Sequence, residues 1–135
     1  LPPGSFGENL VIDGWTSATA AIGDRFAIGT VLLELTAPRI PCVTLARVMN
    51  DPHFPIRFFE EGHPGAYARV LNGGALRRGD AATALPYTDG PAVTMADCLA
   101  ASRTGLKDPA ILAALARSPA HHQLVRAGRD AAATP

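Results

Sequence analysis

The chain has 135 residues, with twelve basic and twelve acidic side chains and no net charge. That balance argues against a nucleic-acid partner held by a strong electrostatic footprint, and no apolar run approaches the roughly 20 residues needed to cross a bilayer. Two cysteines in unlike contexts cannot form a disulfide framework, so a reducing, cytoplasmic setting is expected, without a secretory signal.

Thirteen glycines and twelve prolines predict many turns and short elements. Residues 1–8 read as a loop punctuated by Pro2, Pro3, Gly4 and Gly7, leading into a short strand over residues 9–12. Leu1 in the place of Met points to a processed or trimmed start. Asp13-Gly14 signals a turn, and Gly23-Asp24 another, before a strand on which Phe26 and Ile28 share one face. Residues 30–36 carry the β-branched and aliphatic side chains of a mostly buried strand. Residues 43–49 contain neither Gly nor Pro and predict a short helix. Residues 52–61, with Phe54, Ile56, Phe58 and Phe59, are expected to be partly helical.

Residues 66–71 read as a strand closed by Asn72-Gly73-Gly74, and a weak strand is expected near Ala84 and Leu85. Short strands at this spacing predict a barrel or folded-over sheet rather than βαβ units. After Pro91 the character changes. Thr94 to Asp97 has the form of a capping box, with Met95, Cys98 and Leu99 on one stripe. Gly105 ends that helix, Asp108-Pro109 opens a second, and Ser118-Pro119 repeats the device for a third that ends near Gly128. The expected organisation is a β domain over residues 1–90, three helices over 91–130 and a frayed tail over 131–135.

Between the strand at 30–36 and the helix at 43–49 lies Pro38-Arg39-Ile40-Pro41-Cys42, which two prolines stiffen. This puts Cys42 at or beside a helix N-terminus, where backbone N–H groups and the dipole favour a thiolate. Arg39 adds a positive charge three residues away. Cys98, on an apolar helical stripe, reads as core. No Cys/His spacing supports zinc, and the neighbours His121 and His122 make a poor metal pair; His53 and His63 read as solvated loop residues. The loop from Gly4 to Asn9 offers backbone N–H groups for an anion, a weak pattern by itself.

Taken together, Pro3-Gly4-Ser5-Phe6-Gly7-Glu8-Asn9-Leu10, Ile22-Gly23-Asp24-Arg25-Phe26-Ala27-Ile28-Gly29 and Pro38-Arg39-Ile40-Pro41-Cys42 resemble, in order and spacing, the MOSC family. These are domains related to the C-terminal part of molybdenum-cofactor sulfurase. The segment from Gly65 to Leu71 and the three helices after Pro91 resemble the branch with an appended 3-alpha domain.

The resemblance implies a MOSC-type β-barrel that binds the molybdenum cofactor (molybdopterin), with Cys42 as metal ligand and catalytic centre. It implies that Asn9, Arg39, Ser5 and Gly7 hold the cofactor, whose phosphate would want Arg39 and the backbone donors of the Gly4 to Asn9 loop. Pyridoxal phosphate binding is a further property it attaches. The implied chemistry is reduction of small N-hydroxylated bases or related N-oxygenated compounds, with electrons from a flavin or iron–sulfur protein. A homodimer is one assembly it allows. The alternatives are a module that carries the cofactor or sulfur without turnover, and a remnant that binds none. Family members also carry a first half with a His-Gly-Gly motif and the opening strands, which this chain does not contain. The strands at 9–12 and 30–36 are therefore expected to leave the barrel open, for a preceding segment or a second copy to cover.

Overall fold

The computed structural model describes residues 2–133. Its centre is a hairpin of β1 (Arg25–Ile28) and β2 (Val31–Pro38), joined through Gly29 and Thr30. Gly29 has φ 57°, the left-handed conformation that a two-residue hairpin turn demands and that glycine adopts without strain. The ladder sets Phe26 opposite Leu33 and Ile28 opposite Val31. One face of the hairpin is thereby apolar, and it packs on Ile22, Met95, Cys98 and Leu115, all buried.

β3 (Ala66–Asn72) pairs with β2, and β4 (Ala82–Leu85) pairs with β1, in the antiparallel order β3-β2-β1-β4. Among the described residues there is an open sheet rather than a MOSC-type barrel; that this chain would not close one was expected. β3 and β4 remain its two edges, and four strands are too few to wrap round on themselves. Residues 9–12 join no ladder among the described residues; they form an irregular segment with Leu10 and Val11 exposed. The strand expected to be short of neighbours, β2, is central and paired on both sides.

On the opposite face of the sheet, the register aligns Arg25, Glu34 and Arg69 across three strands. Glu34 is buried and accepts from Arg25 Nη2 at 2.8 Å and Arg69 Nε at 2.9 Å. A buried carboxylate is tolerated because two cations, each about half exposed, compensate it. The triad fastens edge strand β3 to the hairpin.

Among the described residues there are five helices rather than only the three of the expected appendage. Two of them, α1 (Val43–Val48) and α2 (Phe54–Glu61), lie between β2 and β3, where the sequence reads as helical or partly so. The other three are α3 (Met95–Arg103), α4 (Pro109–Leu115) and α5 (His122–Ala132). Thr94 Oγ1 accepts from the Asp97 N–H at 3.0 Å, and Asp108 Oδ1 accepts from Ala110 N at 2.8 Å, as their capping patterns predict.

The third cap differs. Ser118 donates to the Leu115 carbonyl at the end of α4, and His121 caps α5 instead, its Nδ1 facing Gln123 N at 3.5 Å. His121 N also donates to the Thr36 carbonyl at 2.9 Å, which anchors α5 to β2. Nor does α5 stop near Gly128; it runs to Ala132, so residues 131 and 132 are helical rather than frayed. Residues 134 and 135 of the expected tail lie outside the described residues. Met95, Cys98 and Leu124 share one apolar cluster with Phe26 and Leu33, so the helices and the sheet have a common core.

Candidate functional site

β2 ends on the fully buried Pro38, and α1 starts five residues later. Cys42 is the N-cap residue of α1, with extended backbone at φ −136° and ψ 175°. Its side chain is exposed, whereas Cys98 is buried. The Cys42 thiol has a lowered pKa, chiefly because the Leu45 N–H faces the sulfur, with the Thr44 hydroxyl and amide adding to it and Arg39 contributing less. The sulfur closes no capping hydrogen bond, so the effect comes from facing dipoles at the helix start.

Arg39 reaches away from the junction and donates from Nη1 to the Phe6 carbonyl. The Phe6 ring sits 6.1 Å from that of Phe54 and 6.2 Å from that of Phe58, both on α2. Leu45 of α1 and Leu99 of α3 belong to the same cluster. One guanidinium and one ring thus tie the N-terminal loop to the junction that carries Cys42. Arg39 stands between Cys42 and the loop that contains Ser5 and Gly7; no hydrogen bond joins Asn9 to Arg39 or Cys42 among the described residues. Asn9 stands exposed.

The loop is not the open row of donors that its glycines suggest. Glu8 folds back and accepts from Gly4 N at 2.5 Å and Phe6 N at 3.0 Å. Gly7 N donates to the Gly4 carbonyl at 3.0 Å, and Ser5 Oγ to the Pro2 carbonyl at 2.6 Å. Ser5 and Gly7 therefore shape the loop, and an anion at Gly4 and Phe6 would have to displace Glu8. The Gly4 N–H above all, with Glu8's own amide and smaller effects of Phe6 and Arg39, lowers the Glu8 pKa. A carboxyl of depressed pKa holds the loop above its unfolded pKa, and the hold is lost as pH falls through the folded value. Glu8→Gln should accordingly speed amide exchange at Gly4 and Phe6 at neutral pH and leave it alike in both proteins under strongly acid conditions. Exchange unchanged at neutral pH would show that the carboxylate does not order the loop.

Glu8 and Phe6 are the participants that sequence reasoning missed. Their signals were there to read: a lone aromatic in a Gly/Pro loop, and an acid four residues after a glycine. His63 Nδ1 lies 3.1 Å from Thr16 Oγ1, and His53 precedes α2. Among the described residues no group of three or more His, Cys, Asp or Glu side chains is placed to hold a metal ion.

A family model described as the MOSC domain matches residues 1–83, more than half of the chain and the whole of this neighbourhood. The chain belongs to the MOSC domain family. Among relatives of this MOSC domain is the uncharacterized protein YflK of Bacillus subtilis, 34% identical over 79 residues, which are 58% of this chain and 36% of YflK. A Gibberella moniliformis protein named Reductase is 37% identical over 87 residues, 62% of this chain and 16% of that protein. The matches thus span about a third of the first relative and a sixth of the second. The crystal structure of YiiM from Geobacillus stearothermophilus superposes with a TM-score of 0.84 at 27% identity, covering 96% of this chain and 67% of YiiM. No helix among the described residues is long and apolar enough to cross a membrane.

The two thiols of this MOSC domain differ in exposure and in acidity. Burial pushes the Cys98 pKa up to about 11, while the exposed Cys42 is shifted the other way. Because the thiolate is the nucleophile, iodoacetamide at neutral pH should label Cys42 at least about a hundredfold faster than Cys98. Mass mapping of the alkylated peptides checks this, and equal rates would refute the difference.

Proposed function

We propose that this MOSC domain serves a molybdenum-dependent reductase of small N-hydroxylated compounds, with Cys42 providing a thiolate ligand to the metal. The observation that carries the reading is the exposed thiol of lowered pKa at the start of α1, on a junction braced by Pro38 and Pro41. A soft thiolate suits molybdenum. Cys42 is the exposed thiol, and with no group of three or more His, Cys, Asp or Glu placed to hold a metal among the described residues, it suits a metal that arrives with ligands of its own. Arg39 and Asn9 are the polar side chains nearest in sequence logic to bind and orient the cofactor. Glu8 keeps their loop in shape.

When bound, the cofactor would supply two-electron chemistry at an N–O bond. An N-hydroxylamine, two electrons and two protons give an amine and water, the electrons coming from a flavin or iron–sulfur protein. The relative named Reductase supports this class of reaction. Pyridoxal phosphate does not fit as a covalent cofactor. It requires a lysine amine, and the single lysine of the sequence, Lys107, is exposed between α3 and α4.

The test is protein made in a host that synthesises the molybdenum cofactor, assayed for metal and for reduction of 6-N-hydroxylaminopurine with an artificial electron donor. Bound molybdenum with turnover is the expected result. Metal without turnover would leave a carrier module, and neither would overturn the reading.

A further inference from the structure

A groove of about 1050 Å³ runs between the β2–β3 edge and α5, apart from the Gly4 to Asn9 loop. Its two sides differ in chemistry. The sheet side is lined by Pro38, Ile40 and Tyr67, the last 58% exposed as a residue. The helix side presents His122, Arg126 and Arg129, spaced i, i+4 and i+7 and therefore on one stripe of α5. Arg69 stands between them, fixed by Glu34 and by the Pro119 carbonyl.

In a chain without net charge, this groove gathers three arginines against one aspartate, Asp130. Arg126 lies 3.6 Å from Asp130, while Arg129 makes no ion pair among the described residues. The first turn of α5, an eleven-residue helix, also lines the groove and adds its positive dipole end. Arg126 and Arg129, one turn apart on one face of α5, favour a phosphate by charge-assisted hydrogen bonds, and an exposed tyrosine face favours a flat heterocycle. The volume lies at the upper end of the range for small-molecule sites. Ile40 places one end of the groove two residues from Cys42, a span of at most about 7 Å along the chain.

We propose that this groove binds a nucleoside monophosphate, with its phosphate on Arg126 and Arg129 and its base against Tyr67 and Ile40. Resting on the reductase reading, this extends the substrate class from free N-hydroxylated bases to their nucleotides. The base end, toward Ile40, is the end nearer Cys42.

Binding is tested apart from turnover, on molybdenum-free protein, by calorimetric titration with adenosine 5′-monophosphate, adenosine and inorganic phosphate. The nucleotide should bind at least about tenfold more tightly than either fragment, since charge-assisted contacts and ring stacking add. Arg126→Ala/Arg129→Ala should lose that advantage, and Tyr67→Ala should lower nucleotide affinity while leaving phosphate binding unchanged. Circular dichroism and thermal melting check that both variants fold; Arg129→Gln alone, a single exposed change, serves if the double variant does not. Equal binding of nucleotide and adenosine, or unaltered nucleotide affinity in the arginine variant, would overturn the proposal. Nucleotide binding in a protein that reduces nothing would sink the reductase reading and leave the groove standing. Reduction of the free N-hydroxylated base with no nucleotide binding would do the reverse.

Discussion

Cys42→Ser should abolish retention of molybdenum and lower reduction of 6-N-hydroxylaminopurine by more than about a hundredfold, since losing even a group that merely orients a ligand costs about 10–100-fold. The substitution separates chemistry from folding cleanly. Cys42 is the N-cap of α1 and closes no capping hydrogen bond. Serine is among the best N-cap residues, so the variant should fold at least as well as the parent. What serine lacks is an anion at neutral pH, because the dipoles that lower the thiol's pKa cannot ionise a hydroxyl. Cys98→Ser is the matched control. It buries a hydroxyl in an apolar cluster, at a cost of about 1–3 kcal/mol, and should keep its metal. Elemental analysis of the two variants beside the parent decides the matter. Full molybdenum content in Cys42→Ser would show that another group is the ligand.

Gly128→Ala should destabilise the protein, although helix propensity alone predicts a gain of about 1 kcal/mol for this change inside a helix. A Cβ at Gly128 would fall inside contact distance of the Leu112 carbonyl oxygen, 2.8 Å from Ala116 N and 3.0 Å from Ala116 Cβ. Two of these atoms are backbone, so no side chain can swing aside; α4 and α5 must separate. Overpacking costs about 1–3 kcal/mol, and here the neighbour is a rigid helix, so the steric effect wins. We expect the melting temperature to fall by about 5 °C or more. Ala127→Gly, on the same helix but half-buried, isolates the propensity effect. A melting temperature that rises in Gly128→Ala would show that the helices tolerate a wider separation.

Local chemistry was legible wherever a residue acts on its near neighbours. The Thr94 and Asp108 caps, the stripe of Met95, Cys98 and Leu99, and Cys42 at a helix start all follow from spacing and propensity. What was not legible depends on partners distant in sequence. Gly128 looks like a helix terminator to any local rule, and only the passage of α4 beside it explains why a helix keeps a glycine there. Ser118-Pro119 has the form of a cap, yet the bond from His121 to Thr36 of β2 sets where α5 begins.

That the sheet would stay open was expected, but its edges were not: β2 was to lack a neighbour and is central, because strand count and turn spacing say nothing about which edges meet. In the candidate site, Arg39 was expected to share an anion with the loop's donors, and in the structure it touches the loop. Their contact runs through the Phe6 carbonyl, however, and the donors expected to be open at Gly4 and Phe6 are filled by Glu8. A side chain folding back on its own loop competes with any ligand for the same amides, and a motif does not reveal that competition.

Among the described residues β3 is an uncovered edge, with a practical consequence for anyone handling this stretch of chain by itself. Seven residues of ladder carry exposed Tyr67, Val70 and Leu71, and only Arg69 contributes a charge to that strand. β4, at four residues, is too short to recruit much. An unpaired, apolar strand offers its backbone to any other extended chain, and the register shifts of the β2–β3 pair bend it without removing that offer. Shelf life is then governed by how often molecules collide rather than by how firmly each one is folded. Dilution and added acidic residues along β3 would protect the preparation better than any improvement of the core.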